Sequence, residues 1–404
     1  MRIFKPTLLV AILLATLLSA CGPKPAPSAL ATPADPNAGA DSRAVLAYLA
    51  ALTLDKQPGV IVGQNTGHGD QILDTEAPFG YAPLVGALTT QTGKVPGTSG
   101  GETPGMIGLD YEHDRIYRPD QLSAANKVLI DYWQKGGLVT INWSPHSPWL
   151  NDEADLINHP GMWTDTRTTG SVGSNIKGID LRLLVDKQSE MSIVWRHKLD
   201  RIADALLELQ KAGVVVLWRP MQEMNGNWFW WGIASAPNDP KAYIAIWRDM
   251  FDYFTQVKGL HNLLWVYSPS ATWFDPAQQT VEPADLTYPG DAYVDIVAGT
   301  AYNDALDIGD YAAYLKFGKT LGMAEFGPAI GGEASRKGTF DNTLRVTRLQ
   351  KDYPAIAYFV AWHDWDNGDG TRERQSIVAN RNAQAMLQDP SALTLSRLAW
   401  KTFK

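Results

Sequence analysis

The chain has 404 residues, with 35 Lys and Arg set against 43 Asp and Glu, a formal net charge of −8. That balance, with no basic block anywhere, excludes an electrostatic nucleic-acid binder. The single cysteine excludes an intrachain disulfide and argues against a cysteine metal centre.

In chain order, Arg2 and Lys5 precede an apolar run from Leu8 to Leu18. The run is too short for an ordinary membrane span and has the form of a signal peptide covering residues 1–20. It ends Leu18-Ser19-Ala20-Cys21, which resembles a bacterial lipoprotein cleavage box with Cys21 as the lipidated residue. Gly22 stands where aspartate would signal retention in the inner membrane, so the outer membrane is expected, with the lipid as the only membrane contact. Residues 21–42 are rich in Pro and Ala and poor in large apolar side chains, so they are read as a tether. Residues 43–404 then form one globular unit, expected as a monomer.

Eight short apolar runs follow: 59–64, 105–111, 137–143, 213–218, 262–268, 294–302, 322–326 and 355–362. Most lack period-two alternation, as in strands covered on both faces. Helical patterns intervene at 123–135, 192–212 and 242–258, the last with Ile246, Met250 and Phe254 on one face. Strand, helix and strand repeated about eight times predicts an α/β fold, a single (β/α)8 TIM barrel. The stretch 144–191 is expected among the elaborated loops at the C-terminal face.

Polar residues gather where the strands end. The run closing the fourth strand reads Leu217-Trp218-Arg219-Pro220-Met221-Gln222-Glu223-Met224-Asn225-Gly226-Asn227-Trp228-Phe229-Trp230-Trp231-Gly232. Here a buried strand breaks into Arg, Gln and Glu and then into flat aromatics suited to sugar faces. The seventh strand carries Glu325 in Gly322-Met323-Ala324-Glu325-Phe326-Gly327. Strands four and seven lie across a barrel from one another, and two carboxylates facing across a cleft are the equipment of glycoside hydrolysis. Aromatic walls and the second anion raise the pKa of Glu223, while Arg219 is placed to hold Glu325. The fifteen tryptophans also suit carbohydrate.

These residues resemble glycoside hydrolase family 26. The resemblance rests on the Arg-Pro-x-x-Glu-Met-Asn-Gly-x-Trp-Phe-Trp-Trp-Gly run from Arg219, on Asn262-Leu263-Leu264-Trp265-Val266-Tyr267-Ser268-Pro269, on Tyr288-Pro289-Gly290-Asp291 and on Ala324-Glu325-Phe326-Gly327. It spans roughly residues 45 to 400. It implies a retaining enzyme, most often acting on β-1,4-mannan; hydrolysis by two carboxylates needs no metal, so no cofactor or metal is expected. Carried over by motif position, Glu223 is the acid/base and Glu325 the nucleophile. Trp228 lines the leaving-group side, Tyr302 touches the nucleophile and Trp362 is the sugar platform. Arg219, Gln222, Trp143 and His146 complete the expected substrate contacts.

Two positions depart from the family pattern. Gln222 stands where most members have histidine before the acid/base, and Ser144 follows Trp143 where many have a Trp-His pair. An amide at Gln222 can still donate a hydrogen bond to the 2-hydroxyl of the sugar. Both changes fall where sugar identity is read, so a β-glucan or xylan substrate stays open beside mannan. A barrel that only binds carbohydrate is the alternative of another class, and two opposed carboxylates argue against it. Glu112-His113-Asp114 is read as solvated loop charge and Gly97-Thr98-Ser99-Gly100-Gly101 as a plain loop. Trp149 and Trp163 could stack on distal sugars or anchor the insert, and Trp273 is placed for a subsite.

Overall fold

The computed structural model describes residues 30–54, 59–68, 102–111, 119–149, 179–233, 239–271 and 281–403. Its centre is a closed parallel barrel. The strands are β1 (Val60–His68), β2 (Met106–Tyr111), β3 (Leu138–Trp143), β4 (Val216–Pro220), β5 (Leu263–Tyr267), β6 (Ile296–Tyr302), β7 (Thr320–Gly327) and β8 (Ile356–Ala361). Each pairs with the next, and β8 pairs with β1 through Ile61 opposite Tyr358 and Gln64 opposite Ala361. All eight expected strands are present, and the TIM barrel is the fold.

The helices form where the sequence caps an amphipathic face. Ser189 accepts a hydrogen bond from the Met191 N–H at the start of α3 (Glu190–Lys211), and Gly213, with φ 75°, follows its end. Asp239 caps α4 (Pro240–Asp252), with proline in its first turn. That helix buries Tyr243, Ile246, Trp247, Met250 and Phe251 against the barrel, each side chain contributing about 1.5–3 kcal/mol. Earlier in the chain α1 spans Ala40–Thr53 and α2 spans Pro119–Gln134.

The tether was expected to reach residue 42, but residues 30–42 are part of the fold. Leu30 and Asp35 are 1% and 2% exposed. The Ala34 N–H donates to Asp295 Oδ1 at 2.5 Å, Asp35 pairs with His261 at 2.8 Å, and the Gly39 N–H donates to the His261 carbonyl. A Pro/Ala composition gives little surface to bury, but it does not stop backbone groups from bonding to a waiting carboxylate. The signal peptide, Cys21, Gly97–Gly101, Glu112–Asp114, Trp163, Trp273 and residues 150–178 of the insert lie outside the described residues.

Candidate active site

Arg219 lies on β4 opposite Asn142 of β3 and points into the barrel. Its guanidinium is 2% exposed and divides its donors three ways. Nε donates to Ser268 Oγ at 2.8 Å, Nη1 to Asn142 Oδ1 at 2.9 Å and Nη2 to Glu325 Oε1 at 2.7 Å. The other oxygen of Glu325, Oε2, accepts the Tyr302 hydroxyl at 2.5 Å. Burial and the charge of Glu325 push the Tyr302 pKa well above its usual value, so the phenol keeps its proton and acts as a donor. Glu325 is therefore a carboxylate gripped at both oxygens by fixed donors.

Beyond Pro220 the chain turns sharply. Met221 and Glu223 both sit in left-handed backbone, at φ 49° and 54°, a conformation that costs non-glycine residues roughly 1–2 kcal/mol each. Surrounding bonds hold it: Met221 N–H to the Trp143 carbonyl at 2.9 Å, Glu223 N–H to the Ser268 carbonyl at 2.7 Å, and the Trp231 indole to the Gln222 carbonyl at 2.8 Å. The strain aims the Glu223 carboxyl inward.

The surroundings of Glu223 differ from those of Glu325. Among the described residues its oxygens meet neutral donors, Thr300 Oγ1 to Oε1 at 2.5 Å and Trp228 Nε1 to Oε2 at 2.8 Å. Burial first, and then the negative charge of Glu325, raise its pKa to about 7. Gly226 makes the indole contact possible, because a Cβ there would lie 2.3 Å from the Trp228 ring. One carboxyl gripped by an arginine and a tyrosine, facing a second whose pKa is raised to about 7, is an arrangement that a two-step glycosidase can use.

Ser144 joins Gln222 to this frame. Ser144 Oγ accepts from Asn142 Nδ2 at 3.0 Å and from Gln222 Nε2 at 2.9 Å. Arg219 offers only donors, so the Asn142 oxygen must turn towards it and the Asn142 amide nitrogen towards Ser144. The Gln222 amide gives one of its two hydrogens to Ser144 and keeps the second for another acceptor. Its Oε1 is buried and has no hydrogen-bond partner among the described residues, an acceptor that a substrate hydroxyl can meet.

With this geometry in place, the chain can be set against known proteins. Residues 34–393 match the description "Glycosyl hydrolase family 26". The chain belongs to that family. A mannan endo-1,4-beta-mannosidase A and B of Caldalkalibacillus mannanilyticus is 35% identical over 344 residues, covering 82% of this chain and 58% of that protein. The chain thus spans a little over half the length of that relative. A mannan endo-1,4-beta-mannosidase of Bacillus subtilis strain 168 is 27% identical over 396 residues, covering 96% of this chain and 94% of that protein. The solved structure of a Bacillus subtilis mannanase superposes with a TM-score of 0.68 at 26% identity, over 90% of this chain and 95% of that one.

In this family 26 member the expected residues fall into two groups. Arg219, Gln222, Glu223, Trp228, Tyr302 and Glu325 gather at the mouth. Trp362, on the residue after β8, is 8% exposed and carries the Arg219 guanidinium 5.8 Å from its ring centroid. Trp143 belongs elsewhere. It is fully buried and stacks on Trp195 at 5.4 Å and Trp218 at 5.9 Å, between the strands and α3. Its neighbour Asn142 takes the inward direction, so the pleat turns Trp143 outward and away from any sugar. His146 has no exposed surface, and the Trp149 ring meets Trp230 edge-on at 5.9 Å.

The tryptophan excess also has another cause than the one expected. Trp143, Trp195, Trp218, Trp230, Trp231, Trp247 and Trp265 are all fully buried, so much of it is packing around the barrel. Thr300 was missed as a site residue, whereas Ser144 was noted for its position but given no partner. Thr300 had a signal, since it stands two residues before Tyr302 on one strand and must share its inward face.

Proposed function

We propose that the protein is a retaining β-glycoside hydrolase that cleaves β-1,4-mannosidic bonds in mannans or manno-oligosaccharides. The observation that carries this reading is the contrast between Glu325, gripped by Arg219 and Tyr302, and Glu223, whose pKa is raised to about 7. Glu325 attacks the anomeric carbon while Glu223 gives its proton to the departing glycosidic oxygen. The result is a glycosyl ester on Glu325 and an ionised Glu223. Glu223 then takes a proton from water as that water attacks the same carbon and frees Glu325. Two displacements at one carbon leave the anomeric configuration unchanged. The relatives named as mannan endo-1,4-beta-mannosidases support mannan as the polymer.

The remaining assignments belong to the same proposal. Trp228 walls the leaving-group side, Trp362 is the sugar platform, and Gln222 reads a hydroxyl of the sugar at the cleavage site. Cys21 carries a lipid that holds the protein at the outer membrane. Proton NMR of the first product from mannan tests the chemistry, with β-glucan and xylan run beside it. Retained configuration and preference for mannan are expected. Initial release of the inverted anomer refutes the two-step route, and preference for glucan or xylan refutes the sugar assignment alone.

A further inference from the structure

Because parallel strands all start at one rim, the barrel has a floor that is distinct from its catalytic mouth. The N-terminal segment is fastened to that floor. Asp295 immediately precedes β6, and its two oxygens accept the Ala34 N–H at 2.5 Å and the Trp265 N–H at 2.6 Å. His261 precedes β5 and pairs with Asp35. Thr320 opens β7, and its hydroxyl donates to the Leu30 carbonyl at 3.3 Å. The next helix, α1, buries Val45, Leu46, Leu49 and Leu52, and Leu321, near the start of β7, donates its N–H to Thr53 Oγ1. Glu223 and Glu325 stand at the opposite ends of these strands.

From this we infer that the floor of the barrel faces the membrane and the catalytic mouth is turned away from it, towards arriving polymer. The inference rests on the proposed lipid at Cys21 and extends it. Only residues 22–29 separate Cys21 from Leu30, a reach of at most ~30 Å even if fully stretched. For the mouth to meet the bilayer, that link must climb past the helical layer around the floor and the whole height of the strands. The eight residues of β7 alone run for about 26 Å at roughly 3.3 Å per residue, a rise of about 21 Å along the axis at a barrel tilt of roughly 36°, and the loops that carry Glu223 and Trp228 rise beyond them. A mouth-down pose therefore stretches the link to its limit, whereas a floor-down pose leaves it slack. A glycan chain would then enter a cleft that opens to bulk solvent.

The full chain, made in a bacterium, purified from membranes and reconstituted in phospholipid vesicles that carry an energy-acceptor lipid, tests this directly. Lipidation occupies Cys21, so one introduced cysteine becomes the single reactive thiol for a donor dye. Ala40→Cys labels an exposed floor position and Ala305→Cys an exposed position at the mouth. Energy transfer is expected to be several-fold stronger from Ala40→Cys. Inserting about 20 Gly/Ser residues before Leu30 should then raise transfer from the mouth label, because a flexible linker of that length frees the barrel to turn. Equal or stronger transfer from Ala305→Cys with the lipid in place overturns the orientation while leaving the anchor intact. A chain whose Cys21 still takes the dye has no lipid, and that result overturns the anchor and the orientation together.

Discussion

Trp228→Phe removes one hydrogen bond from the proposed acid/base and leaves an aromatic wall in place. The indole N–H can only donate, so its 2.8 Å bond to Glu223 Oε2 favours the ionised carboxyl. A hydrogen bond to a charged group is worth about 1.5–3 kcal/mol and one between neutral groups about 0.5–1.5 kcal/mol, so the preference for the anion is roughly 1 kcal/mol. At 1.36 kcal/mol per unit, its loss lifts the Glu223 pKa by about half a unit to one unit, from the starting value of about 7. Glu223 must hold its proton to protonate the leaving group, so kcat/KM falls as pH rises through its pKa. That basic limb reports the free enzyme and should move to higher pH in the variant. Thr300→Val, which removes the donor on Oε1, should move it the same way. The assay is kcat/KM against pH on a soluble manno-oligosaccharide. The plateau height can also fall as wall contacts change, and the position of the limb is the quantity read. A limb that stays put or moves to lower pH refutes the assignment of Glu223 as the acid held by Trp228.

Three further outcomes follow from the same geometry. Because burial lifts the Glu223 pKa above its unfolded value, the stabilisation from its bound proton is complete below the unfolded value and is lost as pH rises through about 7. Glu223→Gln, a neutral mimic, should therefore raise the melting temperature more at pH 8 than at pH 5, by on the order of 2–3 kcal/mol in stability; equal shifts at both pH values would count against the buried proton. Gln222→Ala removes both the amide donor and the acceptor Oε1, which has no partner among the described residues, and should lower kcat/KM by roughly one to three decades, mostly in kcat if the contact tightens in the transition state; a loss below about twofold with unchanged sugar preference would take Gln222 out of the site. Hydrolysis by two carboxylates needs no metal, so activity should survive exhaustive chelation, and recovery specific to one divalent ion would show a missed centre.

The barrel was legible because strands buried on both faces leave near-continuous apolar runs, and their polar ends mark the mouth. Glu223, Glu325, Arg219 and Tyr302 were readable for that reason. What a run of residues does not disclose is the phase of the pleat. Asn142 and Trp143 are adjacent and equally plausible as sugar contacts, and only the pairing of Asn142 with Arg219 decides which of them faces inward. The tryptophans misled in a related way: sugar stacking and core packing draw on the same side chain, and burial alone separates them. The segment 30–42 was opaque because a few backbone bonds to Asp295 and His261 hold it, and such bonds leave no trace in hydrophobicity.

The division of labour between the two carboxyls is set by which strands flank them. Glu325 lies directly opposite Thr300 on β6, and Tyr302 on that strand reaches one of its oxygens from the side while Arg219 comes across from β4 to the other. Each donor rides on a strand, and a strand in a closed barrel cannot retreat to let the carboxylate relax. Glu223 instead sits beyond the end of β4, in left-handed backbone held by Ser268 and Trp231. Among the described residues no cation is bonded to it, and burial, followed by the charge of Glu325, raises its pKa. A carboxyl on the strand itself could not have been aimed in this way. The turn after Pro220 takes Glu223 off the regular pleat, so one barrel brings two carboxyls to its mouth in unlike surroundings, one gripped by Arg219 and Tyr302 and one with a raised pKa.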